Sequence, residues 1–199
     1  MRTRRVIKLI KCPPSSPKPL TVHTNESHSD QSYNCIIQEE DAAGRLGITV
    51  TKHLFKAAST AVASNVTALD YLILPVPEKL RYLTNVIAKQ LLKTVYIKSY
   101  VPNYSTAVDH FLPHVGGKPV LDELQKNLGF DDSAMEASRM TLYRFGNTSS
   151  SSVWYELACA EAKGRVKKGN RVWQIAFRSD FKCSSVSVWC GFGEEGAFN

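Results

Sequence analysis

Two histidines, His110 and His114, flank Phe111-Leu112-Pro113. A four-residue spacing can present two imidazoles to one metal ion from a helix. Pro113 disfavours a helix there and no glutamate lies between the two, so no metal site is expected. The spacing instead sets His110 at a strand end and His114 in the turn before Gly116-Gly117. An imidazole at such a turn can polarise a carbonyl or stabilise an enolate, or it can be a satisfied buried histidine. Asn147, in Phe145-Gly146-Asn147-Thr148-Ser149, leaves a similar choice. It caps a helix, or it aims an amide donor at an oxyanion beside the N–H groups of a helix start.

Thiolates are nucleophiles, so the five cysteines were weighed for that role. Cys35 and Cys183 fall in strand-like runs and read as packing residues. Cys159 falls in a helical run and Cys190 near the end of the sequence. Cys12 has basic neighbours but sits in a proline-rich strip. None lies at a strand-to-helix turn, so no nucleophile is assigned. With no CxxC and irregular spacing, neither a zinc site nor a dense disulfide framework is expected.

The elements that must position these residues read as α/β, since strands alternate with helices. Ser32–Gln38 and Leu46–Val50 read as strands around an acidic turn at Glu39–Gly44. Lys52–Val62 is Ala-rich and helical. Leu69–Leu92 is an apolar run, a kink at Pro75 and Pro77, then a helix. The apolar bulk and basic residues of Glu78–Lys98 suit a core helix with a solvated face, or a helix lying on a membrane. Lys118–Leu128 reads as a helix with Pro119 in its first turn and Gly129 as its cap. Met140–Phe145 reads as a strand and Asn147–Lys163 as a helix. Arg171–Phe177 and Phe181–Trp189 form a hairpin around Ser179-Asp180. No internal repeat is visible.

The 199 residues are 43% apolar and 22% charged, which excludes wholesale disorder. No run of eighteen apolar residues occurs, so no membrane-spanning helix is expected. The net charge is +7. Arg2, Arg4, Arg5, Lys8, Lys11 and Lys18 lie in the first twenty residues without an acid, so the rest is close to neutral. A nucleic-acid reader would carry the excess on its folded body, so that class is disfavoured. Residues 1–19 read as a basic, proline-rich, disordered segment, either a solvated end or a targeting or membrane-surface stretch. Residues 20–189 read as the folded part and 190–199 as a divergent tail.

The stretch His110–Leu124 (HFLPHVGGKPVLDEL) resembles the HFCIHAGGRAVIDEL block of plant 3-ketoacyl-CoA synthases, the condensing enzymes of very-long-chain fatty acid elongation. Glu136–Gly164, Arg171–Cys183 and Gln38–Gly44 resemble further blocks of that family, and the likeness runs from about Leu20 to Trp189. It implies a thiolase-like fold, mainly the C-terminal half of a duplicated α/β/α layered architecture. It implies an acyltransferase that condenses malonyl-CoA with a long-chain acyl-CoA, without a cofactor. By resemblance His114 and Asn147 match the catalytic histidine and asparagine, and His28 and His110 match two further active-site-region histidines. The family also implies an endoplasmic reticulum membrane setting, a homodimer or pairing with a full-length homologue, and other elongase subunits as partners.

Departures set an opposing expectation. The family's nucleophilic cysteine lies in an N-terminal half that is not found in this sequence, and neither is its membrane anchor. Tyr143 stands where the family has histidine, and Arg178-Ser179-Asp180 where it has Gly-Ser-Gly. These features suit a truncated or degenerate copy, non-catalytic and acting at most as a binding or dimerisation module. Half of a duplicated fold is further expected to expose the apolar strand Val172–Phe177, and so to self-associate.

Overall fold

Alternation of buried and half-buried residues along Arg171–Phe177 and Lys182–Trp189 builds the centre of the molecule. In the computed structural model, which describes residues 18–25, 36–50, 53–92, 100–177 and 182–190, these two segments pair antiparallel. We label the strands β1 (Leu20–Asn25), β2 (Ile36–Glu40), β3 (Leu46–Val50), β4 (His110–Pro113), β5 (Arg171–Phe177) and β6 (Lys182–Trp189). The helices are α1 (His53–Ile73), α2 (Val76–Leu92), α3 (Lys118–Leu128), α4 (Asp132–Phe145) and α5 (Ser152–Ala162), with 3-10 turns at Tyr104–Thr106 and Ser149–Ser151.

The main sheet has the order β1-β6-β5-β4, with β4 parallel to β5 and the other pairs antiparallel. β2 and β3 form a separate hairpin. Its turn is set by Asp41, whose Oδ1 accepts from the backbone N–H groups of Ala43 and Arg45, both at 2.9 Å. That lets Glu39 and Glu40 stay in β2. The turn thus starts two residues later than the acidic run suggests. The segment before Ile36 lies outside the described residues.

Both faces of the sheet are covered, because consecutive residues of β4 and β5 point to opposite sides. On one side Phe111, Trp173 and Ile175 join Tyr104 and Phe130 in an aromatic-rich core. On the other, Leu112 and Val172 pack with Leu157 and Cys190. Helix α1 is fastened to the strands by Asn65, which is fully buried. Its amide donates to the Val22 and Cys183 carbonyls and to Thr24 Oγ1.

This overturns one expectation. Val172, Trp173 and Ile175 are buried, so β5 does not present an apolar face to water. The apolar side chains left exposed lie elsewhere: on α2, on the β3 edge at Leu46 and Ile48, and at Tyr143, Phe145, Trp154 and Tyr155. Met140–Phe145 is also not a strand but the last turns of α4. Asp131 caps that helix by accepting from Ala134 N–H at 2.8 Å, and the buried positions Met135, Ser138 and Thr141 recur every three residues. The helix after Asn147 begins as a 3-10 turn and becomes α-helical at Ser152. Helix α1 runs on through the apolar stretch to Ile73, so the kink separates two helices. Gly129 closes α3 in the left-handed conformation, φ 67°, which glycine adopts without strain.

Candidate functional site

His114 extends β4 by one step. Its backbone N–H donates to the Ile175 carbonyl at 2.7 Å, which carries the parallel ladder past Pro113. The next residue, Val115, donates its N–H to Ser152 Oγ at 2.9 Å in a buried contact. The turn bearing His114 is therefore fixed to β5 on one side and to the start of α5 on the other.

The imidazole is half-buried and meets the Phe177 ring edge-on, with centroids 5.7 Å apart. Burial holds its pKa below the ordinary histidine value, so the neutral ring is favoured. Nδ1 is buried and has no hydrogen-bond partner among the described residues. Nε2 lies beside Gly116, where a Cβ would sit in ordinary van der Waals contact at 3.6 Å.

Asn147 reaches the same place from the α4–α5 connection. Its Nδ2 donates to the Gly116 carbonyl at 3.0 Å, and its Oδ1 accepts from Ser149 N–H at 2.8 Å. These two bonds steady the turn before the 3-10 helix and hold the amide on the turn that carries His114. His114, Gly116, Asn147 and Phe177 all line one cavity of about 730 Å³. The rest of its wall is mostly apolar, with Val62 and Val66 from α1 and Leu124 from α3. Asp70 and Tyr104 add a polar pair, the phenol donating to Asp70 Oδ2 at 3.0 Å. Burial raises the Asp70 carboxyl to about 6, against the lowering effect of that hydrogen bond.

His110 is not brought to this cavity. It opens β4 at the opposite end from His114, hydrogen-bonds Asn170 Oδ1 at 3.2 Å and lines a second cavity of about 610 Å³. There it has Lys163 and Arg165 for neighbours, both ion-paired to Glu136. His28, Arg178 and Asp180 lie outside the described residues, as do Cys12 and Cys35. Tyr143 is 88% exposed on the last turn of α4 and does not line the His114 cavity. Among the described cysteines, burial raises the Cys183 thiol to about 12, Cys190 is buried and Cys159 lines the second cavity. No described cysteine lines the His114 cavity. No cluster of three or more metal-ligating side chains occurs among the described residues.

Sequence reasoning missed Ser152 and Phe177. Ser152 is hidden in a run of four serines, where nothing singles out the one that turns inward. Phe177 was read only as a strand residue, although its place at the end of the β5 alternation puts it beside the residue that follows β4.

The sheet and its covering helices have the thiolase-like fold. PKS-I from the brown alga Ectocarpus siliculosus superposes with a TM-score of 0.56 at 15% identity, over 91% of this chain and 41% of that one. A 3-oxoacyl-(acyl-carrier-protein) synthase III superposes at 0.52 and 16% identity, over 85% and 46%. Within that class the chain belongs to the 3-ketoacyl-CoA synthase family, matching its C-terminal part. It is 53% identical over 169 residues to probable 3-ketoacyl-CoA synthase 20 of Oryza sativa subsp. japonica, and equally so to 3-ketoacyl-CoA synthase 11 of Arabidopsis thaliana. Each match takes in 85% of this chain but 32% and 33% of the relative, so the chain spans about a third of the length of these curated relatives. The family described as FAE1/Type III polyketide synthase-like protein matches residues 19–91. The family described as 3-oxoacyl-[acyl-carrier-protein (ACP)] synthase III C terminal matches residues 104–189.

Proposed function

We propose that this chain carries the malonyl-activating side of a very-long-chain 3-ketoacyl-CoA synthase. The observation that carries the reading is the shared cavity, in which His114 and Asn147 are linked through Gly116. The malonyl thioester carbonyl would sit between the imidazole and the amide, and both groups would donate to its oxygen. As the bond to the carboxylate breaks, carbon dioxide leaves and its electron pair moves into the thioester, giving an enolate. A neutral imidazole N–H and an amide N–H stabilise the developing negative charge in a partly desolvated site. The enolate carbon then attacks an acyl thioester, a thiolate departs, and a 3-ketoacyl-CoA two carbons longer results. The apolar wall suits a long acyl chain.

The proposal extends to acyl-CoA and malonyl-CoA as substrates, with no cofactor. It also takes in a place at the endoplasmic reticulum membrane, and partnership with a second copy, a full-length homologue or other elongase subunits. Among the described residues no helix is long and apolar enough to cross a membrane.

A second reading is favoured by one observation: no described cysteine reaches the cavity. On that reading the 199-residue chain binds acyl thioesters but does not condense them. Titration calorimetry with malonyl-CoA separates the readings from failure of both. We expect binding that weakens about tenfold or more in His114→Ala, the cost of one lost charge-directed hydrogen bond. The chain alone should release no acyl-dependent carbon dioxide from labelled malonyl-CoA, because no described cysteine lines the cavity to form the covalent intermediate. Release above that of His114→Ala would select the full reaction. No malonyl-CoA binding at all would sink both.

A further inference from the structure

Helix α2 is docked the wrong way round for a soluble protein. At about 100° per residue, Val76, Leu80, Leu83, Ile87 and Leu91 form a single stripe, while Glu78 and Asn85 project from the opposite side. An ordinary surface helix turns its apolar stripe to the core. Here the polar side faces the body. Glu78 is buried, accepting from Tyr100 Oη at 2.5 Å and Asn103 N–H at 3.1 Å, with Arg81 Nη1 at 2.9 Å on its other oxygen. Asn85 Oδ1 accepts from Tyr100 N–H at 3.1 Å. The five stripe residues are 44–77% exposed.

Two further observations say what covers the stripe. Apart from the inward-turned Glu78, every charge on α2 is cationic: Lys79, Arg81 and Lys89. The next two charged residues in the sequence, Lys93 and Lys98, are cationic as well. Tyr71, 80% exposed at the end of α1, continues the surface and has Lys79 Nζ 5.5 Å above its ring. An apolar stripe with an amphipathic aromatic and only positive charges matches the boundary between acyl chains and anionic headgroups. Five partly exposed side chains also fall short of the roughly 800 Å² per partner that a stable dimer interface buries.

We propose that α2 lies flat on an anionic lipid surface, its Val76–Leu91 stripe in the acyl boundary and its cationic side chains at the headgroups. This deepens the membrane placement proposed above by naming a surface that makes it. Its test reads vesicle binding, which a failed condensation assay leaves untouched.

The test is co-sedimentation of the full chain with vesicles of phosphatidylcholine, with and without phosphatidylserine. We expect binding that requires phosphatidylserine and that falls about tenfold or more in the double variant Leu83→Glu, Ile87→Glu. Circular dichroism should show that this exposed-site variant keeps its helices, and Lys79→Glu should weaken binding without touching the stripe. The control Arg4→Glu, Arg5→Glu removes charge from the first residues. If that control abolishes binding while the stripe variant binds like the parent chain, the proposal is overturned. A chain that ignores vesicles overturns it too. So does one that forms a dimer in sedimentation velocity, lost in Leu83→Glu, Ile87→Glu, since a second copy then covers the stripe.

Discussion

The Asn147 side-chain amide donates to the Gly116 carbonyl at 3.0 Å, two residues along the chain from His114. The amide is thus held on the turn that carries the imidazole, and its own carbonyl oxygen accepts from Ser149 N–H.

Replacing Asn147 by Ala removes both bonds. Each is at least partly solvent-exposed, so we expect a loss of about 1 kcal/mol, or roughly 2–4 °C in Tm by thermal unfolding. Asn147→Asp keeps the acceptor for Ser149 but turns an acceptor toward the Gly116 carbonyl. It should bind malonyl-CoA more weakly than Asn147→Ala does, because a carboxylate repels the malonyl carboxylate and the thioester carbonyl oxygen. Equal affinity of the two variants would speak against an oxyanion role.

Glu156 is fully buried between α4 and α5, where Ser138 Oγ donates to its Oε2 at 2.5 Å and Oε1 has no partner among the described residues. Burial pushes its carboxyl up to about 8, from an ordinary value of 4.5. A raised folded pKa means the folded state holds the proton more tightly. The associated stability is complete below about pH 4.5 and is lost as pH rises through about 8. Glu156→Gln should therefore unfold at higher urea than the parent chain at pH 8.5, with the advantage vanishing near pH 5. An advantage independent of pH would place the cause in packing instead.

Tyr104→Phe deletes the hydroxyl that donates to Asp70 Oδ2. Losing a hydrogen bond to a half-buried carboxylate costs about 1–3 kcal/mol where that group is ionised. With Asp70 titrating near 6, the loss should be larger at pH 8 than at pH 5. Paired thermal melts at the two pH values check this.

Trp173 is completely buried, touches Tyr104, Phe111 and Phe130, and donates its indole N–H to Ser185 Oγ at 3.1 Å. Trp173→Ala should cost about 3–5 kcal/mol from the cavity alone. Trp173→Phe should recover most of this, but leaves the buried Ser185 hydroxyl without that donor. The same two variants with Ser185→Ala added measure the coupling.

The β5–β6 hairpin and α3 were legible from local signals, since strand alternation and a Pro-to-Gly bracket each have one reading. Met140–Phe145 was not, because a six-residue window holds too little of either period, and the cap that fixes α4 lies nine residues upstream at Asp131. The periodicity of α2 was visible, but a period does not say which face is inside. That was decided by Tyr100 and Asn103, which no local pattern ties to Glu78. His114 and Asn147 are 33 positions apart in sequence, and their shared cavity followed from the family resemblance, not from spacing.

Among the described residues β1, one of the two edges of the main sheet, is also its first strand in sequence. β1 pairs with β6, Leu20 opposite Ser187 and Asn25 opposite Lys182, so its partner is the last of the described strands in sequence. Asn65 needs both of them, since its amide is shared between β1 and the Cys183 carbonyl. On a ribosome, β1 and α1 emerge well before β6, 161 residues separating His23 from its partner Ser184, and must wait for it before either can settle. The interval leaves an unpaired strand edge in the open, which makes this topology slow to close and dependent on whatever shelters that edge meanwhile.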